Sequence, residues 1–268
     1  MNLIEAIMTQ NQCYTAGRKI TVKGLMLHSV GCPQPSAQVF IRNWNDPGYK
    51  IACVHGFIDA NTGDIYQTLP WDHRGWHCAS GRHGSGNNTH IGVEMCEPSC
   101  IKYTGGATFT CSNIVKAREA ARKTYAAAVE LFAMLCEKFN LDPLADGVIL
   151  SHAEGYQRGI ASNHGDPEHL WKQLGMPYTM DSFRAAVKEA MKGSEEQEMQ
   201  RFNKISEMPD YAQPTITKLV DRGFLTGYGT AQDENGKPAD LDLSVDMIRL
   251  LVILDRACAF DDSCPIDP

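Results

Sequence analysis

The sequence predicts an α/β fold, a mixed central β-sheet flanked by helices, with a small C-terminal helical module after it. Three observations predict this. Short apolar strands alternate with helical periodicities through residues 1–192, the pattern of a sheet covered by helices. Two of the strands are joined by a tight polar turn, which argues against a purely parallel sheet. Beyond Lys192 the composition shifts and helical patterns dominate.

The opening segment, MNLIEAIMTQNQ, reads as an amphipathic helix. Residues 19–30, KITVKGLMLHSV, form a short apolar strand ending at His28. SAQVFIRNWND has helical spacing, with Ser36 placed to cap its start. Two strands follow, KIACVHGFID and GDIYQTLP, and Asn61 and Gly63 in the connecting ANTGD suit a hairpin. HIGVEMCE is a fourth strand. Residues 113–140 hold the longest 3.6-residue periodicity and predict a long helix. GVILS is a buried strand leading directly to His152, and TMDSFRAAVKEAMKG is a helix that closes the region. The domains expected are therefore 1–192, a charged linker or exposed helix at 193–207, and a small helical module at 208–268. In that module two helical patterns flank a Gly-rich loop, and Ser244 with Asp246 reads as a helix start.

Composition narrows the function. The 268 residues carry 25 Lys and Arg against 32 Asp and Glu, a formal net charge of −7. Without a basic cluster, a nucleic-acid partner is not expected. No window reaches the roughly 18 uncharged apolar residues of a membrane span; the best candidate, TYAAAVELFAML, is interrupted by Glu130. The N-terminal segment has an acid at Glu5 and no basic start, so a secretory signal is not expected and any extracellular action needs another exit route. Ten cysteines are scattered from Cys13 to Cys264 with no CxxC pair, which suits buried free thiols better than a zinc ribbon or a disulfide framework.

The densest chemistry lies at residues 151–171, SHAEGYQRGIASNHGDPEHLW, with three histidines, three carboxylates and three glycines. A catalytic zinc site takes about three protein ligands and an open position. His152 follows a buried strand, where the backbone is rigid, and Asp166 lies beyond a loop softened by Gly155, Gly159 and Gly165. His28, also at a strand end, is the natural third donor, with His164 in place of Asp166 as the alternative. Spacing alone leaves a structural role for these histidines open.

Four motifs, GLMLHSVG, GDIYQTLPWDHRGWHCASG, NNTHIGVEMCEP and SHAEGYQRGIASNHGDPEHLW, occur in this order over residues 20–172. Together they resemble the zinc-dependent N-acetylmuramoyl-L-alanine amidases. This is the amidase-2 family, which includes phage amidase lysozymes and the peptidoglycan recognition proteins. The arrangement most resembles amidases of clostridial phages and their hosts. The resemblance implies zinc as cofactor and peptidoglycan as substrate. It puts the metal ligands on His28, His152 and Asp166, the water-activating carboxylate on Glu94, and a histidine of the substrate groove on His77. His164 falls where many members have a catalytic lysine, and is implied to act on the developing oxyanion. Glu97 is the second candidate base, and His169 receives no role. Trp76, Tyr66 and Trp71 suit either a wall for sugar or peptide or core packing.

The reaction so implied is hydrolysis of the amide between the lactyl group of N-acetylmuramic acid and L-alanine. Two other readings are a peptidoglycan-binding module without activity and an amidase acting on soluble muropeptides. The complete ligand set favours catalysis over the first, and the added tail favours an intact wall over the second. Residues 208–258 resemble a single S-layer-homology-like unit, which implies wall-polymer binding or homo-oligomerisation. The expected course is synthesis in the cytoplasm without a signal peptide and action on the cell wall after release.

Overall fold

The computed structural model describes residues 1–260, without the side chains of 193–199. Cys264 and the rest of 261–268, at the end of the expected C-terminal module, lie outside the described residues. The chain falls into two units, Met1–Met191 and Lys192–Pro268.

The strands of the first unit are β1 (Leu3–Glu5), β2 (Gly24–Ser29), β3 (Gly56–Ile58), β4 (Ile65–Gln67), β5 (His90–Met95), a separate hairpin of β6 (Ile101–Gly105) and β7 (Thr108–Cys111), and β8 (Ile149–Ser151). Its helices are α1 (Gln12–Thr15), α2 (Ala37–Trp44), α3 (Ile114–Phe139), α4 (His152–Gln157), α5 (Glu168–Gln173) and α6 (Met180–Met199), the last running on past the unit boundary. Six strands make one sheet in the order β1–β4–β3–β5–β2–β8. All neighbours are parallel except β3 and β4, so the sheet is mixed as expected.

The chain start differs from the expected amphipathic helix. Leu3, Ile4 and Glu5 pair in parallel register with Ile65, Tyr66 and Gln67 of β4. A helix of that length is marginal on its own, whereas the open edge of β4 satisfies the backbone of β1. Helix appears only at α1, where the Asn11 side chain caps the Cys13 N–H. The expected β3–β4 hairpin forms with Ile58 opposite Ile65. Its turn is held by Asp59, which accepts from the Asn61 and Thr62 amides, and by Gly63 at φ +83°. Ser36 precedes α2 but makes no cap hydrogen bond; Asp59 accepts the Ala37 N–H instead. α3 matches its periodicity closely, with Asn113 capping one end and Asn140 left-handed at the other. The β6–β7 hairpin was not anticipated.

β2 is buried along its whole length. Because successive strand residues face opposite ways, Leu25 and Leu27 of β2 point with Ile91, Val93 and Met95 of β5 into the main core. There they meet Leu131, Phe132 and Leu135 of α3 and Phe183 and Val187 of α6. The opposite face carries Met26 and Leu150, packed with Cys78 and Ala161. His28 and Glu94 belong to that second face.

In the second unit, β9 (Arg201–Phe202) pairs antiparallel with β10 (Leu243–Ser244), and α7 (Gln213–Asp221) packs with α8 (Val245–Arg256). Phe202 and Ile205, within the stretch expected as a linker, are buried in this unit's own core with Ile216, Leu243, Ile248 and Val252. Ser244 caps α8 through the Met247 N–H, as its sequence position suggests. Asp255 accepts from both Thr215 and Lys218, tying α8 to α7. Among the described residues no helix is long and apolar enough to cross a membrane.

Phe132 is fully buried between α3, α6 and the sheet. Phe132→Ala should cost about 3–5 kcal/mol in urea unfolding. A loss below about 1 kcal/mol would contradict this account of the core.

Candidate metal centre

Strand register brings the site together. His28 on β2 stands directly beside Glu94 on β5, and Leu27 pairs with Ser151, the last residue of β8. The chain turns into α4 at that point, so His152 emerges next to His28. The turn is fixed by a capping box, in which Ser151 Oγ accepts the Glu154 N–H and the Glu154 carboxylate accepts the Ser151 N–H. Arg184 of α6 grips both oxygens of Glu154 at 3.0 Å and so holds the start of α4 against the core. Asp166, on the loop between α4 and α5, closes the set.

The Nδ1 atoms of His28 and His152 lie 3.1 Å apart, and Asp166 Oδ2 is 3.2 Å from the first. Asp166 Oδ1 is 3.6 Å from His152 Nδ1. All three residues are buried, and their donor atoms lie within 4.8 Å of one another. His28 Nε2 faces His77 Nδ1 at 3.0 Å and His152 Nε2 faces Ser162 Oγ at 3.2 Å. With protons on those outer nitrogens, two lone pairs and a carboxylate oxygen converge on one point. Such an arrangement repels itself unless a cation or a shared proton lies between, so the donor set fits a metal such as zinc.

Titration follows the same geometry. Burial alone would raise the Asp166 carboxyl, but the His152 and His28 rings beside it outweigh burial and hold the group well below the usual carboxylate range. Burial lowers His28 and, more strongly, His77. Glu94 is pushed well above its ordinary value by burial first, then by Asp166 and Glu97. Its Oε2 is shut away from solvent without a hydrogen-bond partner.

These residues open into a groove of about 820 Å³. Glu94, His77, His152, His164 and Asp166 line it, with Trp44, Tyr49, Ile51 and Trp76 along one part of its wall and Tyr103, Gly106 and Ala107 of the hairpin along another. Trp76 is 46% exposed there, whereas Trp71 is buried in the main core and Tyr66 packs beside Phe57. The exposed His164 ring stacks obliquely near His152, with centroids 4.5 Å apart, and its Nδ1 is 3.9 Å from Asp166 Oδ1. His77 lines the groove, but both its ring nitrogens are engaged inside the protein.

One cluster escaped the sequence reading. Glu97, fully buried, accepts the Gly31 N–H and the Tyr103 hydroxyl, and that hydroxyl lies 2.7 Å from His169 Nε2. The three groups pin the β6–β7 hairpin to the start of α5, and both Glu97 oxygens are engaged in doing so. IKYTGGATFTC, with β-formers around Gly105–Gly106, is the signal that could have revealed the hairpin.

A sequence model of the family described as N-acetylmuramoyl-L-alanine amidase matches residues 17–169, a span that holds every residue of this site. The N-acetylmuramoyl-L-alanine amidase CwlH of Bacillus subtilis (strain 168) is 54% identical over 33 residues, 12% of this chain and 13% of that protein. The chain thus matches only a short part of that curated relative's length. Among solved structures, Staphylococcus aureus hydrolase AmiA, in complex with its ligand, shares the fold with a TM-score of 0.52 at 19% identity, over 73% of this chain and 86% of that one. A mutant endolysin from Bacillus subtilis aligns at 21% identity and TM-score 0.47, over 70% and 99%.

Burial pushes the Glu97 carboxyl up to about 7 from its ordinary 4.5. The folded chain therefore holds a proton that the unfolded chain releases earlier. Stability from this group is present below about 4.5 and is lost as pH rises through 7, by about 3 kcal/mol in all. Urea unfolding of chelator-treated protein between pH 5 and 8 should show a shallower decline in Glu97→Gln than in the parent. Equal slopes would contradict the assignment.

Proposed function

The chain belongs to the N-acetylmuramoyl-L-alanine amidase family, and on that premise we propose that it hydrolyses, with zinc, the amide between N-acetylmuramic acid and L-alanine in peptidoglycan. The observation that carries this reading is the convergence of His28 Nδ1, His152 Nδ1 and the Asp166 carboxylate at the floor of an aromatic-walled groove. Two imidazoles and a carboxylate are a common catalytic zinc set, and bound zinc supplies the Lewis acidity that lowers the pKa of water to about 7.

Glu94 takes the proton of the attacking water and returns it to the departing alanine amine. Its position supports this role: it stands beside His28 in the sheet, with one oxygen unpartnered. A bound cation favours its carboxylate form, opposing the upward push that burial gives. His164, at the groove margin, donates an N–H to the oxygen of the attacked carbonyl as negative charge develops there. Trp76 and Ile51, both exposed in the groove, supply apolar surface for a wall fragment. The action is on the cell wall.

For the C-terminal module, residues 208–268, we propose self-association as the primary role, with wall-polymer binding second. The support is an exposed stripe on α8, Met247, Leu250, Ile253 and Leu254, recurring at helical spacing. The double substitution Leu250→Glu, Ile253→Glu should leave monomer where the parent shows a larger species in light scattering; identical masses would remove the proposal.

Purified peptidoglycan should yield new alanine amino termini without new reducing ends, and a zinc chelator should abolish them. Glu94→Gln should lower kcat about 10²–10⁴-fold while zinc content stays at the parental level. A zinc-loaded parent that releases no alanine termini would overturn the amidase reading.

A further inference from the structure

Behind the proposed ligands, the rings of His152, His28, His77 and His55 stand in a row, with successive centroids 4.9, 5.1 and 6.0 Å apart. His77 has a backbone carbonyl on one side and His28 on the other. We infer that His77 is a positioning residue that fixes the tautomer of His28, accepting its Nε2–H so that the Nδ1 lone pair faces the metal position. This inference rests on the zinc reading above for its consequence, though not for its geometry.

The assignment follows from donor and acceptor capacity. His77 Nε2 lies 3.1 Å from the His90 carbonyl oxygen, which can only accept, so that nitrogen carries the proton. In a singly protonated imidazole the other nitrogen is then an acceptor. That nitrogen, Nδ1, is 3.0 Å from His28 Nε2. A neutral His28 therefore donates from Nε2, which leaves its Nδ1 lone pair for the metal position, 3.2 Å from Asp166 Oδ2 and 3.1 Å from His152 Nδ1. The direction of the chain is set at its far end by a carbonyl of β5.

His152 is held differently. Its Nε2 faces the Ser162 hydroxyl at 3.2 Å, and a hydroxyl both donates and accepts. Ser162 therefore tolerates either tautomer, while His77 admits one. Of the two histidine ligands, only His28 is set by its neighbour.

The sequence makes room for this ring at a cost in side chain. A Cβ on Gly92 would lie 2.2 Å from His77 Cγ and 2.5 Å from its Nδ1. No residue larger than glycine leaves the ring in place. The His77 backbone is anchored as well, its N–H donating to Asn87 Oδ1 at 2.7 Å. With both ring nitrogens committed, His77 serves the ligand rather than the substrate, which is a different role from the groove contact implied by sequence resemblance.

Two measurements test this. Long-range ¹H–¹⁵N correlation spectra of the chelator-treated full chain should show His28 protonated at Nε2. Zinc titration against a chromophoric chelator should show His77→Leu binding about 10- to 100-fold more weakly than the parent. His77→Gln, whose amide can accept from His28 and donate to the His90 carbonyl, should recover most of that loss. An Nδ1-protonated His28 in the parent, or parental zinc affinity in His77→Leu, would overturn the inference. Should His77→Leu fail to fold, the parental spectrum and His77→Gln still decide it. An Nε2-protonated His28 in a parent that binds no zinc would sustain the tautomer assignment and count against the metal reading instead.

Discussion

The parallel pairing of β2 with β5 on one side and β8 on the other is the constraint on which the site depends. It sets His28 beside Glu94 and ends β8 where α4 begins, so that His152 arrives next to His28. A slip of one residue in either pairing would turn a site residue into the main core and a leucine or valine into the groove. The core in turn prevents that slip. Leu25, Leu27, Ile91 and Val93 are buried against α3 and α6, and reversing them would expose a continuous apolar row. Register is thus specified by the hydrophobic face, and the polar face inherits its geometry from it.

That polar face carries an unusual load of buried histidine. His28, His55 and His77 are all driven toward their neutral forms by burial, and each neutral ring must find one donor and one acceptor partner. His55 accepts the Gly92 N–H and donates to the His73 carbonyl, while Gly92 also leaves the space that His77 occupies. One glycine in the middle of β5 therefore serves two histidines. The β6–β7 hairpin is tied down separately, through Glu97, Tyr103 and His169, so one wall of the groove and its floor are fixed by different networks.

Much of this was legible in the sequence, for physical reasons. Buried strands such as GLMLHS and GVILS announce themselves by uninterrupted apolar residues, and a histidine at the end of each is conspicuous. α3 is legible because its periodicity lasts for 26 residues. β1 is not: three residues of edge strand have too short a pattern to compete with a helical reading, and only the partner edge at Ile65–Gln67 decides the outcome. The Tyr103–His169 contact spans 66 positions and has no local signature. His77 stood out as a site residue, but that it lies behind His28, with its nitrogens turned inward, depends on contacts 49 and 13 residues away. Phe202 and Ile205 were hidden by the charged residues around them, although both are core positions of the second unit.

The central claim is that His28, His152 and Asp166 hold one zinc ion. Anomalous scattering at the zinc absorption edge from crystals of the full chain, with elemental analysis of the same preparation, tests it most directly. The account predicts one zinc per chain, at about 2.0–2.2 Å from the two Nδ1 atoms and an Asp166 oxygen. Zinc bound elsewhere, or a zinc-soaked protein with none at these residues, would contradict it.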